Sequence, residues 1–134
     1  IDDVIKEFGD TDQALIDACG QESTVIRPPY GDCNDEIISA VGKPFILWSI
    51  DSLDWKDYGA DSIVDKVVNH KHLGNGSIIL MHNGAKYTPQ ALEAVITGLQ
   101  SKGYELVPIS ELIKKDNFHI NHEGRQISDE TAQH

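Results

Sequence analysis

Apolar positions along this chain follow two rhythms. Short unbroken apolar runs lie between turn residues, and longer stretches repeat apolar residues three and four apart. The most informative run is Ser77-Ile78-Ile79-Leu80-Met81-His82, entered through an Asn75-Gly76 turn. It has strand length, and an apolar sequence on both faces suits a parallel strand covered by helices. Three further runs predict strands: Thr24-Val25-Ile26, Phe45-Ile46-Leu47-Trp48-Ser49-Ile50 and Tyr104-Glu105-Leu106-Val107.

Helical spacing fills the gaps between them. Residues 1–18 predict a first helix through Val4, Ile5, Phe8, Leu15 and Ile16, with a break near Gly9-Asp10 and a stop at Cys19-Gly20. Others are expected over 34–41, closed by Gly42, over 60–72, and over 88–102, closed by Gly103. Thr88-Pro89 has the order expected of a helix start, cap residue then proline. A short helix over 110–114 is followed by a polar tail. Strict alternation of helix and strand with short loops implies parallel strands joined by crossover helices. The expected organisation is therefore one α/β domain over 1–115 and a polar tail over 116–134.

In such a sheet the C-terminal ends of the strands share one rim, where α/β proteins place their chemistry. Three consecutive predicted strands end in polar residues: Arg27, then Asp51 and Asp54, then His82. A carboxylate beside a histidine favours the imidazolium, which suits a general acid near neutral pH. An arginine nearby holds a carboxylate ionised and fixed. Alternation along the strand puts Leu80 on the face of His82, with Ile79 and Met81 opposite. Trp55 offers a further apolar wall. This combination suits hydrolysis at a small apolar acyl group. The competing reading makes Arg27, Asp51 and Asp54 ordinary loop charges.

Charge and composition narrow the field. With 22 acidic against 11 basic residues, the 134-residue chain carries −11, which argues against a nucleic-acid partner. No apolar run approaches the roughly 20 residues needed to cross a bilayer. The chain opens at Ile1 inside helix-like material, so the natural N-terminus is expected upstream. Cys19 and Cys33 lack metal or redox spacing; they could pair or both be free. His70 and His72, two apart on a predicted helix, would face apart. His122-Glu123 begins like a zinc-protease motif, but Gln126 stands where its second histidine belongs. Gly74-Asn75-Gly76 precedes a strand, whereas a phosphate-binding loop must follow one, so a flavodoxin-like domain finds no support.

Three segments together carry a resemblance. Arg27-Pro28-Pro29-Tyr30-Gly31, Asp51-Ser52-Leu53-Asp54-Trp55 and Leu80-Met81-His82 resemble, in order and spacing, the third to fifth motifs of the NodB-type polysaccharide deacetylases, carbohydrate esterase family four. The likeness runs from about Ile1 to Lys114. It implies a distorted (β/α) barrel acting on N-acetylated glycans, peptidoglycan N-acetylglucosamine first and a chitin-type glycan as an alternative. It also implies a secreted or cell-surface bacterial hydrolase. By motif match, His82 would be the general acid, Asp54 its orienting partner, and Arg27 the clamp on a base aspartate. The Tyr30 N–H would serve the oxyanion, Leu80 and Trp55 the acetyl pocket, and Asp51 substrate binding.

The family's first motif, of Thr-Phe-Asp-Asp-Gly type, and its second, of His-x-x-x-His type, do not occur here. The resemblance thus implies a divalent metal, zinc, in the complete domain, with ligands outside this chain. Four strands cannot close a barrel of about eight. A missing N-terminal part, or a second copy, is expected to cover the open strand edges. The alternative is a non-catalytic glycan-binding member of the same fold.

Overall fold

The computed structural model describes residues 2–28, 34–121 and 125–129. Tyr30, Cys33, His122, Glu123 and His134 lie outside them, so the expectations placed on those residues have no structural counterpart here. The chain divides into two compact units, Ile1–Ser49 and Ile50–His134.

In the first unit, α1 (Asp2–Cys19) runs without the break expected at Gly9-Asp10. A mid-helix glycine costs only about 1 kcal/mol, and contacts one turn apart span this one. Lys6 pairs with Asp10 at 2.9 Å, and the Thr11 hydroxyl donates to the Glu7 carbonyl at 3.0 Å. Gly20, left-handed at φ 79°, ends the helix with its N–H on the Ile16 carbonyl. Helix α2 (Asp35–Val41) starts where the Asn34 side chain accepts the Ile37 N–H at 2.8 Å.

The two strands expected in this unit shrink to one parallel bridge, Ile26 to Phe45. Phe8 meets the Phe45 ring edge-on, with centroids 5.8 Å apart. Asp12, in mid-α1, ties the unit together. Its carboxylate accepts the Ser23 N–H at 3.1 Å and the Ser23 hydroxyl at 2.6 Å, and pairs with Lys43. That ion pair, with both Ser23 donors, lowers the Asp12 pKa to about 2.

The second unit contains the parallel pair β1 (Ile50–Asp51) and β2 (Ile79–Leu80), in register Ile50 to Ile79 and Asp51 to Leu80. Between them a 3₁₀ turn (Asp54–Lys56) leads into α3 (Ala60–Val68); α4 (Thr88–Ser101) follows β2. Ile63, Val67 and Val68 of α3 meet Ala91, Val95 and Leu99 of α4 over Ile50, with Ile79 and Met81 packed on this core. Gly98 permits the close approach of the helices, since a Cβ there would stand 3.0 Å from Val68 Cγ2. The Lys102 ammonium donates to the Val68 carbonyl, capping α3 with a cation at its negative end.

Three expectations need correction here. Helix α3 stops at Val68, so His70 and His72 are not helical; their rings lie 5.6 Å apart, and His70 Nδ1 accepts the His72 N–H at 3.0 Å. Residues 104–107 form no strand. The Tyr104 N–H turns back to the Leu99 carbonyl at 3.1 Å, closing α4 instead of entering a ladder. After α5 (Ile109–Leu112), the expected polar tail contains an antiparallel pair, β3 (Phe118–Ile120) with β4 (Gln126–Ser128). The Gln126 side chain bridges the N–H and carbonyl of Lys114, which fastens β4 to the end of α5. The described residues form two two-stranded sheets and no closed barrel. Among them, no helix is long and apolar enough to cross a membrane.

Candidate active site

The site is built where β1 and β2 end side by side. Parallel pairing continues one residue past β1: the Ser52 N–H and hydroxyl both donate to the Leu80 carbonyl, at 3.3 and 2.8 Å. Ser52 is 1% exposed, so these two hydrogen bonds lock the two strand ends in a dry environment. The chain then turns sharply. Leu53 adopts a left-handed conformation at φ 53°, uncommon for a branched residue, and Asp51 Oδ1 accepts its N–H at 2.9 Å. That turn aims Asp54 inward.

Asp54 is 1% exposed and grips His82 at two points. Oδ2 accepts the His82 main-chain N–H at 2.7 Å, and Oδ1 lies 2.8 Å from His82 Nδ1. Oδ2 also accepts the Thr88 hydroxyl at 2.7 Å. Burial alone would push the Asp54 carboxyl up. Hydrogen bonds from the His82 N–H, the Thr88 hydroxyl and the His82 ring outweigh it, and the net pKa is lowered. An ionised carboxylate only accepts, so Nδ1 carries the proton between the two residues. Nε2 is then the nitrogen left for chemistry, and the His82 side chain is 39% exposed.

The other expected residues are placed as follows. Leu80 is 7% exposed and stands apart from the core cluster on which Ile79 and Met81 pack, as strand alternation requires. Trp55 is 55% exposed with the Lys56 ammonium 5.1 Å from its ring centroid. Asp51 is half-buried and its carboxylate accepts the Leu53 N–H. Arg27 is exposed in the first unit. Sequence reasoning missed Ser52 and Thr88; the first looked like a loop serine, the second like a helix cap. No group of three or more His, Cys, Asp or Glu among the described residues is placed to hold a metal ion.

No protein-family model matches the chain. Whole-sequence likeness is informative. The chain is 36% identical over 112 residues to peptidoglycan-N-acetylmuramic acid deacetylase PdaC of Bacillus subtilis, spanning 84% of this chain and 24% of that protein. It is 38% identical over 110 residues to peptidoglycan-N-acetylglucosamine deacetylase PgdA of Listeria monocytogenes, spanning 82% and 23%. The solved structure of B. subtilis PdaC superposes with a TM-score of 0.72 at 37% identity, covering 81% of this chain and 52% of that one. A Bacillus anthracis pseudoenzyme of the same family superposes at 0.72 with 30% identity, covering 83% and 40%. The fold and the sequence place this chain among the polysaccharide deacetylases, a class of hydrolases. Within that class it belongs to the NodB-type carbohydrate esterase family four, and it spans about a quarter of the length of PdaC and of PgdA.

Proposed function

We propose that the protein containing this chain removes acetyl groups hydrolytically from an N-acetylated polysaccharide. Peptidoglycan N-acetylglucosamine is the first substrate and a chitin-type glycan the second. The observation that carries the reading is the two-point hold of Asp54 on His82, which engages Nδ1 and leaves Nε2 for proton transfer. A base aspartate outside this chain would take a proton from water as its oxygen adds to the acetamide carbonyl carbon, and the C–N bond breaks as the His82 imidazolium gives its Nε2 proton to the departing amine. Acetate and a free amino sugar result. Asp54 stays ionised throughout and stabilises the imidazolium.

The remaining roles rest on motif likeness. Arg27 would hold a base aspartate, the Tyr30 N–H would stabilise the oxyanion, Leu80 and Trp55 would receive the acetyl methyl, and Asp51 would touch substrate. A divalent metal, zinc, belongs to this reading for the complete domain. The described residues of this chain do not fit it, so no step above is routed through it. A cell-surface or extracellular location is part of this reading, supported by the peptidoglycan named for the relatives PdaC and PgdA. A further part of the domain, or a second copy, would cover the open edges of the two-stranded β1–β2 pair.

Likeness to a family pseudoenzyme favours a second reading, a glycan-binding protein that does not hydrolyse. Acetate release from peptidoglycan and chitooligosaccharide by the full-length protein separates the two. Glycan binding without acetate release would overturn the first.

A further inference from the structure

Thr88 opens α4, yet it does not cap the helix. The N-cap is Tyr87, without a side-chain cap bond, and the Thr88 hydroxyl is committed at 2.7 Å to Asp54 Oδ2. Among the described residues it is therefore the one donor to that oxygen which does not come from His82 itself. Two donors on Oδ2 fix how far the carboxylate turns about its Cβ–Cγ bond, and with it where Oδ1 meets Nδ1. The helix that carries Thr88 is anchored by Ala91, Val95 and Leu99, all 3% exposed or less, so the hydroxyl sits on a rigid support. The first turn of α4 also contributes the positive end of a helix dipole beside the anion.

We propose that Thr88 is a positioning residue for the His82–Asp54 pair: its hydroxyl sets the carboxylate rotation that keeps His82 Nδ1 protonated and Nε2 correctly aimed. The inference rests on the proposed deacetylation for its kinetic consequence, but not for its structural one. The bland reading is that Thr88 merely tacks α4 to the 3₁₀ turn. Loss of such a positioning group typically costs roughly 10- to 100-fold in activity.

The test compares Thr88→Val, which keeps the shape and removes the donor, with Thr88→Ser, which keeps the donor. In the full-length protein, Thr88→Val should lower kcat about 10- to 100-fold with KM nearly unchanged, and Thr88→Ser should stay within about 3-fold of wild type. In parallel, the Nδ1–H proton resonance of His82 should persist in wild type and Thr88→Ser and be shifted or lost in Thr88→Val. If Thr88→Val does not fold, Thr88→Ala against Thr88→Ser puts the same question. An unaltered resonance in the valine variant, or a serine variant no better than valine, overturns the proposal. A wild type that releases no acetate but shows the same dependence of the resonance on Thr88 overturns the proposed function and leaves the positioning role standing.

Discussion

Asp54 holds His82 through both its main-chain N–H, at 2.7 Å, and its ring Nδ1, at 2.8 Å. One carboxylate thereby sets the position of the histidine backbone and the orientation of its ring. The pair sits just beyond two parallel strands whose ends are locked by Ser52 on the Leu80 carbonyl.

Removing the ring should abolish chemistry without dismantling the fold. His82→Ala in the full-length protein is expected to lower acetate release about 100- to 10,000-fold. Metal content and the circular dichroism spectrum should match wild type. Acetate release at the wild-type rate would remove His82 from the mechanism.

Asp54→Asn keeps the size of the side chain and loses its charge. The amide must turn its NH₂ toward one of the donors that now face the carboxylate, leaving that donor unsatisfied. Turnover should fall about 100- to 10,000-fold, with a lowered thermal midpoint as a second readout, because leaving a buried polar group without a partner typically costs about 1–3 kcal/mol.

Acid should weaken the fold through carboxylates whose pKa is lowered on folding. Asp12 falls to about 2 through Lys43 and Ser23, so the folded chain binds fewer protons than the unfolded chain between about pH 4 and about pH 2. The Asp12 contribution is present above that window and is lost as pH falls through it. Asp54, also lowered, acts in the same direction. Urea midpoints measured across pH 2–5 should therefore decline toward acid, and Asp12→Asn should flatten part of that decline.

Gly98 is a packing requirement. A side chain there meets Val68 Cγ2 and Cγ1 at 3.0 and 3.2 Å from its Cβ alone. Gly98→Leu should destabilise by about 1–3 kcal/mol in urea unfolding. Combining Gly98→Ala with Val68→Ala should cost less than the sum of the two changes, since the second makes room for the first.

Of the candidate site, the contact between Asp54 and His82 was legible along the chain, and its supporting groups were not. Asp54 and His82 each follow a short apolar run, and parallel pairing brings consecutive strand ends together, so their meeting could be inferred from order alone. Thr88 could not be assigned in the same way. A threonine before a proline fits a helix cap on local grounds, and only the position of α4 beside Asp54 diverts its hydroxyl. Ser52 is similar: its importance comes from the Leu80 carbonyl, 28 residues away.

What the amino-acid order determined by itself was the succession of helices, the glycine stops at Gly20 and Gly42, the alternation of Leu80 against Ile79 and Met81, and the three motifs of the deacetylase family. These depend on backbone preference and periodicity within a few residues. Tertiary structure alone decided where pairing ends. It reduced the strand expected over 45–50 to a bridge and a two-residue strand, turned Tyr104 back onto α4, and drew part of the polar tail into an antiparallel pair. It also decided that the Asp54 carboxylate faces three donors among the described residues. A strand exists only when a neighbour satisfies its backbone groups, and a carboxylate is tuned only by the donors packed around it.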